Sequence, residues 1–219
     1  MKKLLVAIGL FLSISVSMAQ VPKGKVKSDA EAKKILDAVS SKFKSYKSVQ
    51  ANFVLKIENA SGKNIGTKKG TVSMKGLKYR ISVPGQEIIS DGSNTWTYEK
   101  SANEVTVNKI DPSANSITPQ KLFTNFYDKD FLYKLNGVVN VGGKNMQELE
   151  LTPIDKTKPF FKVLVYVNQS TIVTTKVFEK SGSRYTYSVS NMKTGNTIAD
   201  NTFTFDTKKY PGVEVVDLR

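Results

Sequence analysis

The side chains that most often carry out chemistry in enzymes are scarce in this chain. Its 219 residues include no histidine and no cysteine, which removes the usual general base, the usual zinc ligand and all thiol chemistry. No G-x-S-x-G and no P-loop motif occurs either. A catalytic centre would have to use carboxylates, lysines or hydroxyl groups, and the sequence predicts no metal and no cofactor.

The carboxylates that lie closest together are found in segments typical of turns. Asp128 and Asp130 are separated by a single residue, a spacing that could support acid–base work. Asp155, Asp200 and Asp206 also lie beside turn residues. Because turn carboxylates are usually solvated, a carboxylate-dependent hydrolase is only an alternative interpretation, and we predict that the protein is not an enzyme.

Aromatic and basic residues point to binding more than to catalysis. Trp96 and Tyr98 fall on one face of a predicted strand, where they would pack in the core or line a cavity. The formal net charge is +14, but the lysines are spread along the chain, which is typical of a solvated surface. We therefore predict no nucleic-acid partner and expect the charge to favour contacts with anionic membranes or acidic proteins.

The first twenty residues have the layout of a secretory signal peptide. Met1–Lys3 is basic, Leu4–Val16 is apolar, and Ser17–Ala19 places small residues before Gln20. The apolar run is shorter than the roughly 20 residues that span a bilayer. The sequence thus predicts a signal peptide at residues 1–19 and an exported, monomeric protein formed by one domain over residues 20–219.

One long amphipathic helix is predicted near the start of the exported chain. Ser28 and Glu31 fit a capping box, and apolar residues then recur at helical spacing through Asp29–Lys47. An apolar stripe of this kind must lie on another element, and we expect the helix to form a movable lid. The stripe consists of Ala32, Ile35, Leu36, Val39, Phe43 and Tyr46.

Beyond the helix, the hydrophobic period changes from 3.6 to 2, which predicts a β-sheet. Pro119–Tyr127 is predicted to be a short helix, and Phe160–Val167 is apolar enough for a strand covered on both faces. The pattern favours a strongly curved antiparallel sheet with both helices on its concave side. The strands are predicted at 49–57, 71–75, 78–83, 87–90, 95–98, 105–107, 148–152, 160–168, 172–179, 185–192 and 202–205.

A set of short motifs carries a resemblance to a known family. The most specific one runs from Ile89-Ser90-Asp91-Gly92 to Trp96 and Tyr98. The others are Tyr46-x-Ser48-Val49-x-Ala51-x-Phe53, Gly70-x-Val72-x-Met74, Val83-Pro84-x-Gln86-x-Ile88, Leu149-x-Leu151-Thr152-Pro153 and Phe203-x-Phe205 with Pro211-Gly212-Val213-Glu214. Through these motifs, nearly the whole exported chain resembles the periplasmic outer-membrane lipoprotein carriers of the LolA family.

The resemblance implies a mainly β protein with helices (α+β), in which an unclosed, strongly curved antiparallel β-barrel is lidded on its concave face. It also implies a periplasmic chaperone that holds the acyl chains of lipoproteins and carries them from the inner to the outer membrane. The implied partners are acylated lipoproteins, an inner-membrane ABC transporter that releases them, and an acceptor at the outer membrane. A lipid-sensing periplasmic regulator of the same fold is an alternative.

The resemblance also suggests which residues form the site. Family members carry an Arg-Pro pair after the second strand, where this chain has Lys75-Gly76, with Arg80 further on. Lys75 and Arg80 are therefore the candidates for holding the lid, although lysine lacks the planar donor fork of arginine. The candidate lipid-binding residues are Phe53, Leu55, Ile57, Val72, Met74, Tyr79, Ile81, Val83, Trp96 and Tyr98 from strands, with Ile35, Leu36, Val39 and Phe43 from the helix.

Overall fold

The computed structural model describes residues 29–110 and 127–219. The predicted signal peptide at residues 1–19 lies outside the described residues, as does the predicted helix at 119–127 except for Tyr127. Within the described ranges, no helix combines the length and the apolar character needed to cross a membrane.

The predicted long helix is present as α1, Ala30–Lys44. Its N-cap is Asp29, whose Oδ1 accepts hydrogen bonds from the backbone N–H groups of Glu31 and Ala32 at 2.8 and 3.4 Å. The predicted cap at Ser28 was therefore wrong by one residue, because the side chain of Asp29 already satisfies these first N–H groups. The helix also ends three residues before the predicted end at Lys47.

Strands make up most of the described chain, and a short helix α2, Tyr127–Asp130, precedes the seventh strand. The strands predicted by alternation between residues 49 and 192 are confirmed, although β2 begins seven residues earlier than predicted. Residues 131–141, whose pattern fitted either a strand or a loop, form β7. The strands are β1 Val49–Glu58, β2 Asn64–Lys75, β3 Lys78–Val83, β4 Gln86–Ser90, β5 Asn94–Glu99, β6 Glu104–Lys109, β7 Phe131–Val141, β8 Lys144–Pro153, β9 Phe160–Asn168, β10 Thr171–Glu179, β11 Arg184–Thr194 and β12 Glu214–Asp217.

Two predictions of local structure were wrong. The predicted strand at 202–205 is replaced by a 3₁₀ turn, Asp200–Phe203, which buries the Phe203 side chain completely. A second 3₁₀ turn follows at Thr207–Lys209. Strand β9 is covered on one face only: Val163, Val165 and Val167 are buried, whereas Phe161 is 49% exposed.

The strands form one sheet with the order β12-β6-β5-β4-β3-β2-β1-β11-β10-β9-β8-β7. Neighbouring strands are antiparallel except β12 and β6, which are parallel. Two meanders, β1–β6 and β7–β11, meet where β1 pairs with β11, and we call this pairing the seam. Strands β12 and β7 terminate the order at opposite edges, so the sheet remains open.

The sheet curves around α1. Leu36 and Val39 pack on the buried side chains of β7–β10, while Phe43, near the end of the helix, shares a pocket with Val72 of β2. Strands β2 and β7 are six strand spacings apart, about 29 Å in a flat sheet. A helix of 15 residues is only about 22 Å long. The face that carries α1 is therefore concave, and the opposite face is convex.

The main core lies between α1 and the concave face of β7–β10. Apolar side chains from the helix, α2 and four strands meet there with exposures of 8% or less. This burial is where the amphipathic stripe of the helix contributes most of its stabilising free energy. The members are Ala32, Leu36, Val39, Tyr127, Phe131, Tyr133, Leu149, Leu151, Phe160, Val163, Val165, Val167 and Ile172.

Candidate functional site

The candidate site is the part of the concave face that α1 leaves only partly covered. In antiparallel strands, residues that face each other in register share one face of the sheet. Leu55 of β1 is opposite Tyr187 of β11, and Ile57 is opposite Tyr185. These side chains are half-buried, apart from Tyr187, which is 39% exposed. They form an apolar surface beside the seam that we call the trough.

A glycine on β2 lets one aromatic ring lie flat in the trough. Gly70 is opposite Phe53 in register, and a Cβ atom at Gly70 would come within 2.6 Å of Phe53 Cζ and 2.5 Å of the Ser82 carbonyl oxygen. Only a residue without a side chain leaves room for this close approach. Gly70 therefore positions the Phe53 ring against the strand rather than away from it.

A pocket lies where the trough meets the C-terminal end of α1. Its empty volume is about 420 Å³, a figure that includes space open to solvent, so the pocket is a shallow depression in the concave face. The wall is almost wholly apolar. It comes from α1 and the residues that follow it, from β1, β2, β10 and β11, and from the β9–β10 turn. The lining residues are Val39, Phe43, Tyr46, Val49, Ala51, Val72, Ser170, Thr171, Ile172, Val189 and Met192.

A bulge in β11 helps to build this pocket. The register between β1 and β11 shifts between Gln50 and Asn52, and Asn191 on the facing strand has a φ of 50°. Asparagine tolerates this left-handed conformation better than most residues. The extra residue returns the Met192 side chain to the concave face, where it joins the pocket wall.

Two tyrosines of the concave face stay neutral at physiological pH. Burial raises the pKa of the Tyr187 phenol in the trough, and burial also raises the pKa of the Tyr79 phenol, which lies near Val49 and Met74, despite a hydrogen bond to Ser90. Both phenols therefore keep their protons and present rings with one polar end. In the described part of the chain, no group of three or more His, Cys, Asp or Glu residues could hold a metal ion. The surface can bind an apolar ligand, and it presents no acid–base machinery.

Most of the predicted site residues lie on the concave face, but they do not form one set. Met74 is opposite Tyr79, and Val72 is opposite Ile81, so these residues share the face of Val49 and Ala51. Met74 and Tyr79 are buried, and the other predicted strand residues on this face are half-buried. Those others are Phe53, Leu55, Ile57, Val72, Ile81 and Val83.

Trp96 and Tyr98 lie on the opposite face, which corrects their predicted placement. Ile88 shares the face of Ile81 and is opposite Thr97, so both neighbours of Thr97 point to the convex side. The alternation of β5 correctly gave one shared face for the two rings. It could not show which face this was, because that depends on the register with β4.

The predicted helix residues divide between the core and the pocket. Leu36 and Val39 are buried in the main core, and Ile35 packs against its edge. Val39 also reaches the pocket, and Phe43 lines it. Sequence reasoning missed three residues of β11 that face the site, namely Tyr185, Tyr187 and Val189. Their alternation shows that they share one face of a strand. Nothing in the sequence showed that this strand lies beside β1.

The candidate lid residues Lys75 and Arg80 hold a different element. Lys75 Nζ donates to the carbonyl oxygen of Ile198 at 3.2 Å and pairs with Asp200. Arg80 Nη1 donates to the carbonyl oxygen of Thr202 at 3.3 Å. Both cations therefore fix the C-terminal segment, residues 196–213, on the convex face rather than holding α1 on the concave one.

An aromatic cluster completes the attachment of this C-terminal segment. The Tyr98 ring contacts those of Phe205 and Tyr210 at centroid distances of 5.7 and 4.6 Å. Arg80 also forms an ion pair with Glu87, and the Tyr210 hydroxyl donates to Glu87 Oε2 at 3.0 Å. Burial, followed by the hydrogen bond to Glu87, raises the pKa of Tyr210. Tyr98 thus has a structural partner, which accounts for its position away from the trough.

Helix α1 is held at both ends. The backbone N–H of Asp29 donates to the Tyr133 carbonyl oxygen at 2.9 Å, and Asp29 Oδ2 accepts from the backbone N–H of Leu135 at 3.1 Å. At the other end, Lys42 Nζ donates to the carbonyl oxygen of Gln169 at 2.6 Å. These contacts, together with the core burial of Leu36, oppose displacement of the whole helix.

Comparison with known proteins identifies a consistent group of relatives. Residues 44–206 match the family model described as "Outer membrane lipoprotein carrier protein LolA". The outer-membrane lipoprotein carrier protein of Actinobacillus pleuropneumoniae serotype 3 is 28% identical over 224 aligned residues, which cover 100% of this chain and 97% of that protein. The carrier protein of Cupriavidus necator is 27% identical over 181 residues, covering 79% of this chain and 84% of that protein.

A solved structure shares the fold. An uncharacterised conserved protein from Thermus thermophilus superposes with a TM-score of 0.58 over 85% of this chain and 99% of that one. The sequence identity of the pair is 14%, so this likeness concerns the fold alone. It supports an open, curved sheet as the common architecture.

Proposed function

The chain belongs to the outer membrane lipoprotein carrier family LolA, and from this premise we propose that it is a periplasmic chaperone for lipoproteins. In this role it holds the acyl chains of a lipoprotein on its concave face and carries them from the inner to the outer membrane. The family is one of carriers and not of enzymes, in keeping with the largely apolar trough.

The observation that carries this proposal is the half-buried trough, which continues into the pocket at the end of α1. Leu55 and Ile57 expose apolar surface there, with Tyr187 and Tyr185 opposite them on β11. On the other side, Lys68 of β2 is opposite Leu55 and is exposed, so its ammonium group lies at the margin of the trough. An apolar chain lying on such a surface gains free energy in proportion to the area that it removes from water. A headgroup or peptide moiety would remain outside, where the trough is open.

The open geometry suits a carrier that must release its cargo. Burial of one chain of ~14 carbons would contribute roughly 11 kcal/mol before the costs of association. Complete burial of several chains would approach the practical affinity limit of about 18–21 kcal/mol, and such a complex would dissociate too slowly. A trough that covers only one side of each chain keeps the affinity in a range that permits transfer.

Cargo would enter along the trough, with α1 remaining in place. The N-terminal half of α1 belongs to the main core, whereas Phe43 at its other end lies over the pocket. Opening the pocket would therefore require a shift of the last helical turn, with loss of the hydrogen bond from Lys42 to Gln169, and not displacement of the whole helix. This proposal replaces a lid formed by all of α1 with a gate formed by its C-terminal end.

The partners that we propose follow from this role. Acylated lipoproteins are the cargo, an inner-membrane ABC transporter supplies them, and an acceptor at the outer membrane receives them. The protein would reach its site of action through the signal peptide predicted at residues 1–19. In that compartment a basic surface would encounter anionic phospholipids and acidic faces of partner proteins.

The test uses a pair of neighbouring residues on opposite faces of β1. Leu55 lies in the trough and Val54 lies on the convex face, and both are half-buried. We expect Leu55→Gln to weaken binding of a fluorescent fatty-acid probe at least tenfold, because a polar amide would have to be desolvated beside the chain. Val54→Gln is the matched control and should bind the probe as the unmodified protein does.

Two further readouts accompany the probe. Mass spectrometry of organic extracts should find lipid with the protein purified from its native host, and less lipid with Leu55→Gln. Fluorescence of Trp96 should change little when the probe binds, because this side chain lies on the convex face. Equal probe binding by the two variants, or a complete lack of both probe binding and extracted lipid, would show that the trough is not an acyl-chain site.

A further inference from the structure

Three turns meet at one end of the sheet. They are the β1–β2 turn at 59–63, the β8–β9 turn at 154–159 and the β10–β11 turn at 180–183. The backbone N–H of Lys180 donates to the carbonyl oxygen of Pro159 at 2.8 Å, and Arg184 Nη2 donates to the carbonyl oxygen of Ala60 at 3.4 Å. We call residues 58–65, 153–162 and 176–184 the basic tip.

The basic tip exposes large apolar side chains that the fold does not use. Ile65 is 61% exposed, Ile154 is 51% exposed and Phe161 is 49% exposed. They come from two of the three adjoining segments, so the three side chains share one end of the molecule. Burying exposed side chains of this size in an apolar medium would be favourable. Ile65 on β2 is four strand spacings from Phe161 on β9, so the three side chains are spread along this end of the sheet.

Cations surround Phe178, whose ring is a neighbour of Phe161. Lys162 Nζ and Lys176 Nζ lie 4.5 and 5.5 Å from the centroid of the Phe178 ring, and Arg184 Cζ lies at 5.9 Å. The Phe161 ring lies 6.3 Å from that of Phe178, so charged and apolar groups are interleaved. The seven cations of the basic tip are Lys63, Lys156, Lys158, Lys162, Lys176, Lys180 and Arg184.

The three carboxylates of the basic tip have partners within the protein. Glu58 pairs with Lys56 at 3.1 Å and with Lys176 at 3.4 Å. Asp155 accepts from the Thr157 hydroxyl at 2.7 Å, and Glu179 Oε2 accepts from the Ser181 hydroxyl at 3.0 Å. The local balance remains positive, and an anionic surface would meet mainly cations there.

We propose that the basic tip docks on the anionic phospholipid surface of a bilayer. Lysine and arginine would contact the lipid phosphates, while Ile65, Ile154 and Phe161 enter the boundary between headgroups and acyl chains. Proteins that bind at this boundary combine cations, which attract anionic lipids, with exposed apolar side chains, which enter the acyl region. An acidic protein would complement the cations but would leave three exposed apolar side chains without an apolar partner, so a lipid surface fits the basic tip better.

The docking would also orient the trough. Ile57 is one residue from the end of β1 at the basic tip, and Leu55 follows two residues further along. The trough therefore begins beside the surface that would touch the lipid. An acyl chain leaving a membrane would then meet the trough directly and would cross little water. This orientation rests on the proposed carrier function, whereas the docking itself does not.

The test compares charge removal at the two ends of the sheet. The tip variant carries Lys63→Gln, Lys158→Gln and Lys180→Gln. The control carries Lys47→Gln, Lys144→Gln and Lys193→Gln, which lie toward the opposite end. The ends are separated by the ten residues of β1, about 33 Å, or three times the ~10 Å screening length at 0.1 M salt. Both variants have the same net charge.

Binding is measured by sedimentation with vesicles of phosphatidylcholine alone or with a third phosphatidylglycerol. We expect the unmodified protein to bind only the anionic vesicles, and more weakly as salt rises. The tip variant should lose about a hundredfold in affinity, while the control should change little. Phe161→Asp should also abolish binding, whereas Leu77→Asp, at a residue 75% exposed near the other end, should not.

Several outcomes would overturn the proposal. Equal losses in the tip variant and the control would mean that diffuse charge alone attracts the protein to membranes. Binding to neutral vesicles, or no binding to anionic ones, would exclude an anionic lipid surface as the partner and favour an acidic protein. Unchanged binding by Phe161→Asp would exclude insertion. Binding of the fatty-acid probe is measured in parallel, so failure of the docking is distinguishable from failure of the carrier function.

Discussion

The replacement Leu36→Ala tests whether α1 is a movable lid or a fixed part of the core. Leu36 is 2% exposed and packs against the strands of the main core. Removing a fully buried leucine side chain beyond Cβ costs about 3 kcal/mol, as the sum of lost transfer free energy and a residual cavity. For a domain of this size, that loss corresponds to a decrease in Tm of about 6–12 °C.

The assay is urea or thermal unfolding, followed by circular dichroism. The matched control is Lys34→Ala, on the exposed side of the same helix, which should change the free energy of unfolding by less than about 0.5 kcal/mol. Probe affinity, measured on the folded protein, should be the same for both variants. If Leu36→Ala lowers the free energy of unfolding by less than about 1 kcal/mol and takes up the probe faster, α1 separates readily from the sheet. That result would refute the conclusion that the helix is a fixed part of the core.

Two further predictions concern contacts away from the trough. Arg80→Ala should make residues 196–213 sensitive to limited proteolysis and cost about 2 kcal/mol without changing probe binding; increased probe uptake would instead make Arg80 a latch for α1. The hydrogen bond from Tyr127 at 2.7 Å, followed by the bond from Lys33, lowers the pKa of Asp37 below 3.8. The stabilisation that the ionised Asp37 carboxylate provides is therefore complete above about pH 4, and it is lost as the pH falls through the lowered pKa. The difference in Tm between Asp37→Asn and the unmodified protein should therefore shrink on acidification from about pH 5 to pH 3, and a constant difference would contradict this assignment.

The sequence predicted the elements well because their signals are local. The alternation from Val49 to Ile57 and the helical spacing from Ile35 to Phe43 each depend on a single segment and its own buried face. The alternating pattern also favoured a strongly curved antiparallel sheet, and the resemblance to lipoprotein carriers added that the barrel is unclosed. Together they placed eight strand residues on the face that the structure shows to be concave, and they placed the helix against it.

The remaining features depend on contacts between distant segments. Trp96 was assigned to the wrong face because the register of β5 is set through β4, and a shift of one residue reverses every side chain. Tyr187 was missed because its neighbour Leu55 is 132 residues away in the sequence. The roles of Lys75 and Arg80 depend on the path of residues 196–213, in which residues 202–205 were predicted to be a strand and not a turn.

The seam between β1 and β11 has a consequence for how the chain acquires its structure. It joins residues 49–58 to residues 184–194, while the other antiparallel pairs connect strands that follow one another in sequence. Hairpins of the second kind close in microseconds, whereas a contact across more than a hundred residues must first overcome the entropy of a long loop. We therefore expect two meanders to form early and to join late, with the edges of β1 and β11 unpaired in the interval. A chain that enters an extracytoplasmic compartment from its N-terminus would remain open to aggregation until residue 194 has arrived.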